Sequence, residues 1–453
     1  SSAARGRPMR LEHPTAVRRT VLAVGLLAVA GGASGLLDHQ RDGAAPAPAP
    51  NPDGPTYYVS SRGSDTASGT STSKPWRTIA KVNATRLKPG DRVLFARGQT
   101  FAGRTLTLEA SGTKAKPITI GAYGTGPRPI FDGGGTDAPK AGTHQPIQVN
   151  GNWVVLESIQ CQHSSLAGID VHGTDCRVVQ CTLTHNAFGV MQEASAARLT
   201  VTYCRLIRNT FEIIVPGANN DYGSNGIGLG GAGAEISYNY SEGNVGLSPD
   251  YGTDGSFCEI FNATDANVHH NISMNDLAFT ECGNSTRTTG NTFHHNIMWS
   301  AVVNAGGLNV HGTGDFGGVT DTKWINNTVY LTNAKSVGFF VTGPTSCVVH
   351  NNIFVSGYCG NSGSPIDEAG NVYDSLTPNG VLSANSPTGR TIARSSVSTR
   401  KPGLVRPALN GDFQLVAGSP AINRGVPTPY RYDFAGKPRH GSAWDAGAFE
   451  YQG

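Results

Sequence analysis

The chain has 453 residues, 59 of them Gly and 26 Pro, with hydrophobic residues at 38% and charged ones at only 15%. This is poor helix material but enough chain to bury a large core, which excludes helical bundles and small stapled scaffolds. The formal charge is +3, and because residues 1–55 hold six Lys/Arg against four Asp/Glu, the remainder stands at 29 against 28, with no field suited to a nucleic acid.

In chain order, the first feature is an apolar run of ten residues, Val21 to Ala30, preceded by Arg18-Arg19 and followed by small residues at Ala33 and Ser34. Residues 1–35 therefore read as a secretory signal region, for the Sec or the twin-arginine route, with an uncleaved N-terminal anchor as the alternative. No other window approaches the roughly 18 apolar residues of a spanning helix, so a secreted protein with no membrane contact in its mature form is expected. Residues 36–55 include Ala44-Ala-Pro-Ala-Pro-Ala-Pro-Asn-Pro52, an extended Pro/Ala-rich linker. One folded domain is expected over 56–453.

Eight cysteines in an exported chain suggest disulfides, but Cys161, Cys181 and Cys204 lie 20 and 23 residues apart, each within a short β-type run. Such spacing marks equivalent positions in successive repeats, and stacked, buried, mostly free thiols are expected, with one or two disulfides as the alternative. The column continues through Asn239, Asn271, Asn296, Asn327 and Asn352, at intervals of 35, 32, 25, 31 and 25 residues. Periods in this range mean a solenoid, and short Val/Ile/Thr-rich strands between Gly, Asn, Asp and Ser make each coil β. The expected architecture is an all-β solenoid with loop insertions forming a groove. An inward Asn at each sharp turn tolerates left-handed backbone angles and bonds its neighbours above and below.

The entry segment Tyr57-Tyr-Val-Ser-Ser-Arg-Gly-Ser-Asp65, with Pro75-Trp76-Arg-Thr-Ile79, Leu87-Lys-Pro-Gly-Asp91 and Pro117-Ile-Thr-Ile-Gly-Ala-Tyr123, has a counterpart at the exit in Asp412-Phe-Gln-Leu415, Ser419-Pro-Ala-Ile422 and Asp445-Ala-Gly-Ala-Phe-Glu450. In these segments the sequence resembles the secreted right-handed parallel β-helix proteins of the pectate-lyase-like superfamily. The resemblance covers almost the whole mature chain and implies a carbohydrate-active protein of unspecified substrate. Asp445 and Glu450 are expected to lock the C-terminal cap.

Two consecutive coils contain Asp254-Gly-Ser-Phe-Cys-Glu259 and Asp276-Leu-Ala-Phe-Thr-Glu281, every matching position offset by 22. Alternation along a strand sends Cys258, Ile260, Thr280 and Cys282 inward and Phe257, Glu259, Phe279 and Glu281 outward. Two glutamates stacked on adjacent rungs repel by about 3 kcal/mol, or about 2 pKa units, at roughly 5 Å and an effective dielectric of about 20. The outlets are a retained proton or a cation such as Ca²⁺ between the carboxylates. Glu259 and Glu281 are thus the candidate acid and nucleophile or base of glycoside cleavage, assisted by Asp254 and Asp276, with Phe257 and Phe279 as a face for a sugar.

The two longest intervals hold Pro216–Asn225 and Val245–Thr253, whose Asp221-Tyr222 and Asp250-Tyr251 are expected to wall a groove. Asn309 and His311 extend it one coil on. The doublets His269-His270 and His294-His295 precede the ladder turns and read as structural. No zinc cluster, phosphate loop or EF-hand pattern is present, and no cofactor is required. The leading expectation is a monomeric glycoside hydrolase acting on a polysaccharide or oligosaccharide. The alternatives are a lyase or epimerase acting on uronates, for which the resemblance implies a Lys or Arg base with Ca²⁺ or a cationic side chain, and a glycan-binding β-helix without turnover.

Overall fold

A computed structural model describes residues 54–135, 144–283, 287–314, 316–343, 345–362, 366–376, 396–398, 403, 413–441 and 443–453. The expected signal region and most of the linker lie outside them. Among the described residues no helix is long and apolar enough to cross a membrane.

The chain winds into a right-handed β-helix whose coils contribute one strand to each of three parallel sheets, of 12, 12 and 10 strands. The first sheet begins with Thr56–Val59 pairing Arg92–Ala96 and ends with Val348–His350 pairing Asp367–Ala369. The ten-stranded sheet, called here the cleft sheet, includes Ala167–Val171, Phe188–Gln192, Asn225–Leu229, Ser256–Phe261, Ala278–Gly283, Gly306–His311 and Val337–Thr342. A five-residue helix, Ile79–Asn83, closes the N-terminal end; Thr78 caps it by accepting from Lys81 N–H at 3.1 Å.

The interior is built in columns. In the cleft sheet Ile169, Val190, Ile227, Cys258, Thr280, Leu308 and Phe339 stack at one inward position, and Val171, Gln192, Leu229, Ile260, Cys282, Val310 and Val341 at the next. All eight cysteines are buried with free thiols.

The polar ladder exists with one change of register. Cys181 N–H donates to Cys204 Sγ, Cys204 N–H to Asn239 Oδ1, and each Asn from 239 to 352 donates from both N–H and Nδ2 to the Oδ1 of the next, ending at Asn371. Cys161 does not belong to it, because Cys161 pairs with Leu183, two residues beyond Cys181. The left-handed residue is the one before each rung: Gln180, Tyr203, Tyr238, His270, His295, Asn326 and Asn351, at φ of 52–56°. That position carries the turn while the ladder side chain satisfies the inner polar groups.

The C-terminal segment lies along the flank of the coils rather than over their end. Phe413, Phe434, Ala448 and Phe449 pack on Tyr240, Ile272 and Ile297. Glu450 accepts from Arg439 Nη1 at 2.9 Å and Asp445 from Tyr451 N–H at 2.6 Å, so both acids tie this segment together. The histidine doublets are its docking surface: His294 stacks on Tyr430 at 4.0 Å, and His295 Nε2 lies 2.9 Å from Arg439 Nη2.

Candidate active site

The outward positions of the cleft sheet form a column of Gln148, Asp170, Met191, Gly228, Glu259, Glu281, Asn309 and Phe340. Glu259 and Glu281 are direct cross-strand partners on adjacent rungs. They stand side by side in a cleft of about 760 Å³ that Tyr222, Tyr251, Asn309 and His311 also line.

The two carboxyls have different surroundings. Glu259 accepts from Asn225 Nδ2 at 2.5 Å, and Asn225 Oδ1 accepts from Ser256 Oγ at 2.6 Å. Burial, reinforced by the charges of Asp254, Glu281 and Glu212, holds the Glu259 carboxyl well above the usual range. Glu281 is 40% exposed, and its Oε1 lies 2.7 Å from His311 Nε2.

A second carboxyl pair borders the first. Glu212 is buried, accepts from Ser224 Oγ at 2.6 Å, and is hydrogen-bonded to Asp254. Burial pushes Glu212 up to about 8, with the Asp254 charge adding to it. Burial pushes Asp254 up to about 6, opposed by the hydrogen bond from Glu212 and helped by the charge of Glu281. Glu212 therefore holds a proton that it shares with Asp254 at neutral pH.

Asp276 is not part of this group. It is fully buried and ends a second amide ladder: Asn186, Asn209 and Asn244 each donate from N–H and Nδ2 to the next Oδ1, and Asn244 donates to Asp276 Oδ1 at 2.8 and 2.9 Å. The rung equivalent to Asp276 in the preceding coil is Asn244. The insertion at 245–253 falls between Asn244 and Asp254, so the offset of 22 does not carry across it.

Phe257 and Phe279 are also displaced from their expected place. Both are fully buried, 4.9 Å apart, and Phe279 meets Trp324 edge-on at 5.3 Å. Each strand turns at its second residue: the ladder steps from Ser256–Ala278 to Cys258–Thr280, so Phe257 and Cys258 both face inward. Other coils have Gly168, Gly189, Gly226, Gly307 and Gly338 at that crowded position.

The apolar side of the cleft comes from elsewhere. The Phe188 ring lies over Gly228, where a Cβ would sit 2.7 Å from the ring, and Phe261 lies over Gly283, where it would sit 2.4 Å away. Phe316 meets Phe261 edge-on at 5.6 Å. Phe261 was not singled out in the sequence, although continuing the alternation from Glu259 would have marked it as outward. No sequence signal marked Glu212, whose partner arrives only after both insertions.

Asp221 and Asp250 hold the wall together; Asp221 also lines the cleft, whereas Asp250 is not among its described lining residues. Asp221 accepts from Val215 N–H, Ser248 Oγ and Asp250 N–H, while Asp250 Oδ2 accepts from the backbone of Asn220 and Asp221. This reciprocal clasp joins the two insertions and sets Tyr222 and Tyr251 at the rim, each 39% exposed. Burial and then the charge of Asp254 push the Tyr251 hydroxyl up to about 12, so it remains a donor.

A family model described as Pel9A-like, right handed beta helix region, matches residues 57–245. The crystal structure of pectate lyase Pel9A superposes on 88% of this chain and 96% of its own, with a TM-score of 0.59 and 19% identity. The chain is a right-handed parallel β-helix, and over residues 57–245 it is similar to the Pel9A-like family. This β-helix is also similar to the native GH136 lacto-N-biosidase from Eubacterium ramulus, at a TM-score of 0.50 and 16% identity over 76% of this chain and 67% of that one. A lacto-N-biosidase of Bifidobacterium longum subsp. longum is 47% identical over 75 residues, which span 16% of this chain and only 5% of that protein. A pectate lyase and a lacto-N-biosidase are thus both similar to this chain in fold, and the fold alone does not distinguish the two activities.

Proposed function

We propose that this β-helix is an exported glycoside hydrolase acting on a neutral polysaccharide or oligosaccharide, with Glu259 as general acid and Glu281 as the carboxylate partner. The observation that carries the reading is the pairing of Glu259 with Glu281 on adjacent rungs, in a cleft with no Lys or Arg among its described lining residues. Glu259, held protonated by burial and by its acidic neighbours, gives its proton to the departing glycosidic oxygen. Glu281, braced by His311, meets the developing positive charge at the anomeric carbon. Strand spacing of about 4.8 Å leaves little room for a water between the two groups and favours retention of configuration. Asp254, with the proton it shares with Glu212, adds negative potential beside the pair, while Tyr222, Tyr251 and Phe261 offer surfaces for sugar rings.

Proton abstraction beside a uronate carboxylate needs a base and a cation for the substrate's charge. An acidic cleft lined by carboxyls repels such a substrate. Glu259→Gln and Glu281→Gln are expected to lower turnover by about 10³-fold or more while saccharide binding is kept. Turnover unchanged in both variants would remove the pair from the chemistry.

A further inference from the structure

On the same outward face, three rungs before Glu259, a second set of side chains converges. Asp170 occupies the outward column, His172 follows two residues along the chain, and Glu193 comes from the adjacent coil. One ligand atom from each lies within 4.8 Å of the others. Asp170 Oδ2 is 3.0 Å from His172 Nε2 and accepts from Gln145 Nε2 at 2.9 Å, and Gln148 Nε2 lies 3.3 Å from the same imidazole nitrogen. Asp170 is only 2% exposed, and its Oδ1 is shielded from solvent with no hydrogen-bond partner among the described residues. An orphaned carboxylate oxygen in such a place costs free energy unless something fills it. The neighbouring Glu193 adds a second negative charge at ligand distance, and its carboxyl is raised by burial and then by the Asp170 charge.

We propose that Asp170, His172 and Glu193 form a binding site for a divalent transition ion of the zinc type. A cation supplies the partner that Asp170 Oδ1 lacks and offsets the repulsion between the two carboxylates. The donor set selects the ion: Ca²⁺ and Mg²⁺ take oxygen ligands, whereas one imidazole nitrogen with two carboxylates suits Zn²⁺. Asp170 lies within the strand Ala167–Val171, while His172 and Glu193 directly follow the ends of Ala167–Val171 and Phe188–Gln192, with their N–H groups bonded to Val149 O and Val171 O of the preceding coils, so the set is held by the scaffold. Three protein ligands leave a position open, and because Glu193 also lines the cleft, that position is available to water or a sugar hydroxyl. The site is independent of whether the Glu259–Glu281 pair hydrolyses or eliminates.

The test is calorimetric titration of the full chain, stripped with a chelator, with Zn²⁺ alone and in parallel with Ca²⁺. One Zn²⁺ per chain is expected, bound more tightly than Ca²⁺, with a melting temperature that rises with Zn²⁺ concentration. His172→Gln and Glu193→Gln alter partly buried side chains that a stable fold tolerates, and each should weaken Zn²⁺ by about 100-fold or more. Co²⁺ in place of Zn²⁺ should show visible absorption that His172→Gln abolishes. Absence of saturable Zn²⁺ binding, unchanged Zn²⁺ affinity in both variants, or a preference for Ca²⁺ that His172→Gln leaves intact would overturn the assignment.

Discussion

A carboxyl buried against a second carboxyl keeps its proton, and Glu212 gives that rule a measurable consequence. Its pKa rises from 4.5 to about 8 on folding, so across that window the folded state binds a proton that the unfolded chain has released. The resulting stability is complete below about pH 4.5 and is lost as the pH climbs to about 8. Each pKa unit is worth about 1.4 kcal/mol, so the loss amounts to a few kcal/mol. Glu212→Gln keeps the shape and a donor toward Asp254 but cannot ionise. Denaturant titrations at pH 5 and pH 8 should show a smaller alkaline loss in the variant than in the parent; equal losses would contradict the shared proton. Glu259 and Glu281 were legible because an offset of 22 repeated the same hexad. Glu212 was not, because a buried acid is recognised by its partner, and folding alone brings Asp254 to it.

Within the elements, strand geometry decided what alternation could and could not show. Cys258, Ile260, Thr280 and Cys282 face inward as a period of two requires, but the turn at the second residue of each strand puts Phe257 and Phe279 inward as well. Phe279→Ala should therefore cost about 3–5 kcal/mol of stability, read as a lowered denaturation midpoint, as for other buried aromatic truncations. A weakened substrate affinity with unchanged stability would return Phe279 to the cleft. The amide ladder was legible from spacing because each rung must satisfy the next. Asn296→Ala removes the acceptor of Asn271 N–H and one of the three acceptors around Asn271 Nδ2, and it should destabilise by roughly 1–3 kcal/mol, chiefly through the buried N–H left unpaired. The second ladder escaped notice because its rungs change from Asn to Asp at Asp276, which read as a catalytic acid.

At the scale of the whole molecule, the repeat made the solenoid plain, while the docking of the C-terminal segment along its flank depended on contacts distant in sequence. That docking has a pH sign of its own. Burial depresses His294 to about 2 and His270 to about 4, and it holds His295, beside Arg439, well below the ordinary range. These histidines stay neutral when folded and charge when unfolded, so stability falls as the pH drops below about 6.5, opposite in direction to the Glu212 effect. Hydrogen exchange at pH 5 should release residues 430–453 before the coils, and His294→Phe, which keeps a ring against Tyr430, should lessen that release. Simultaneous release of segment and coils would show that the docking is not the acid-sensitive part. The central claim, that an acidic cleft with paired glutamates and no Lys or Arg among its described lining residues hydrolyses a glycosidic bond, is tested most directly by the products. Purified protein incubated with a panel of neutral and uronate-containing glycans should release new reducing ends without ultraviolet-absorbing unsaturated sugars. Accumulation of unsaturated product from a uronate polymer would contradict it.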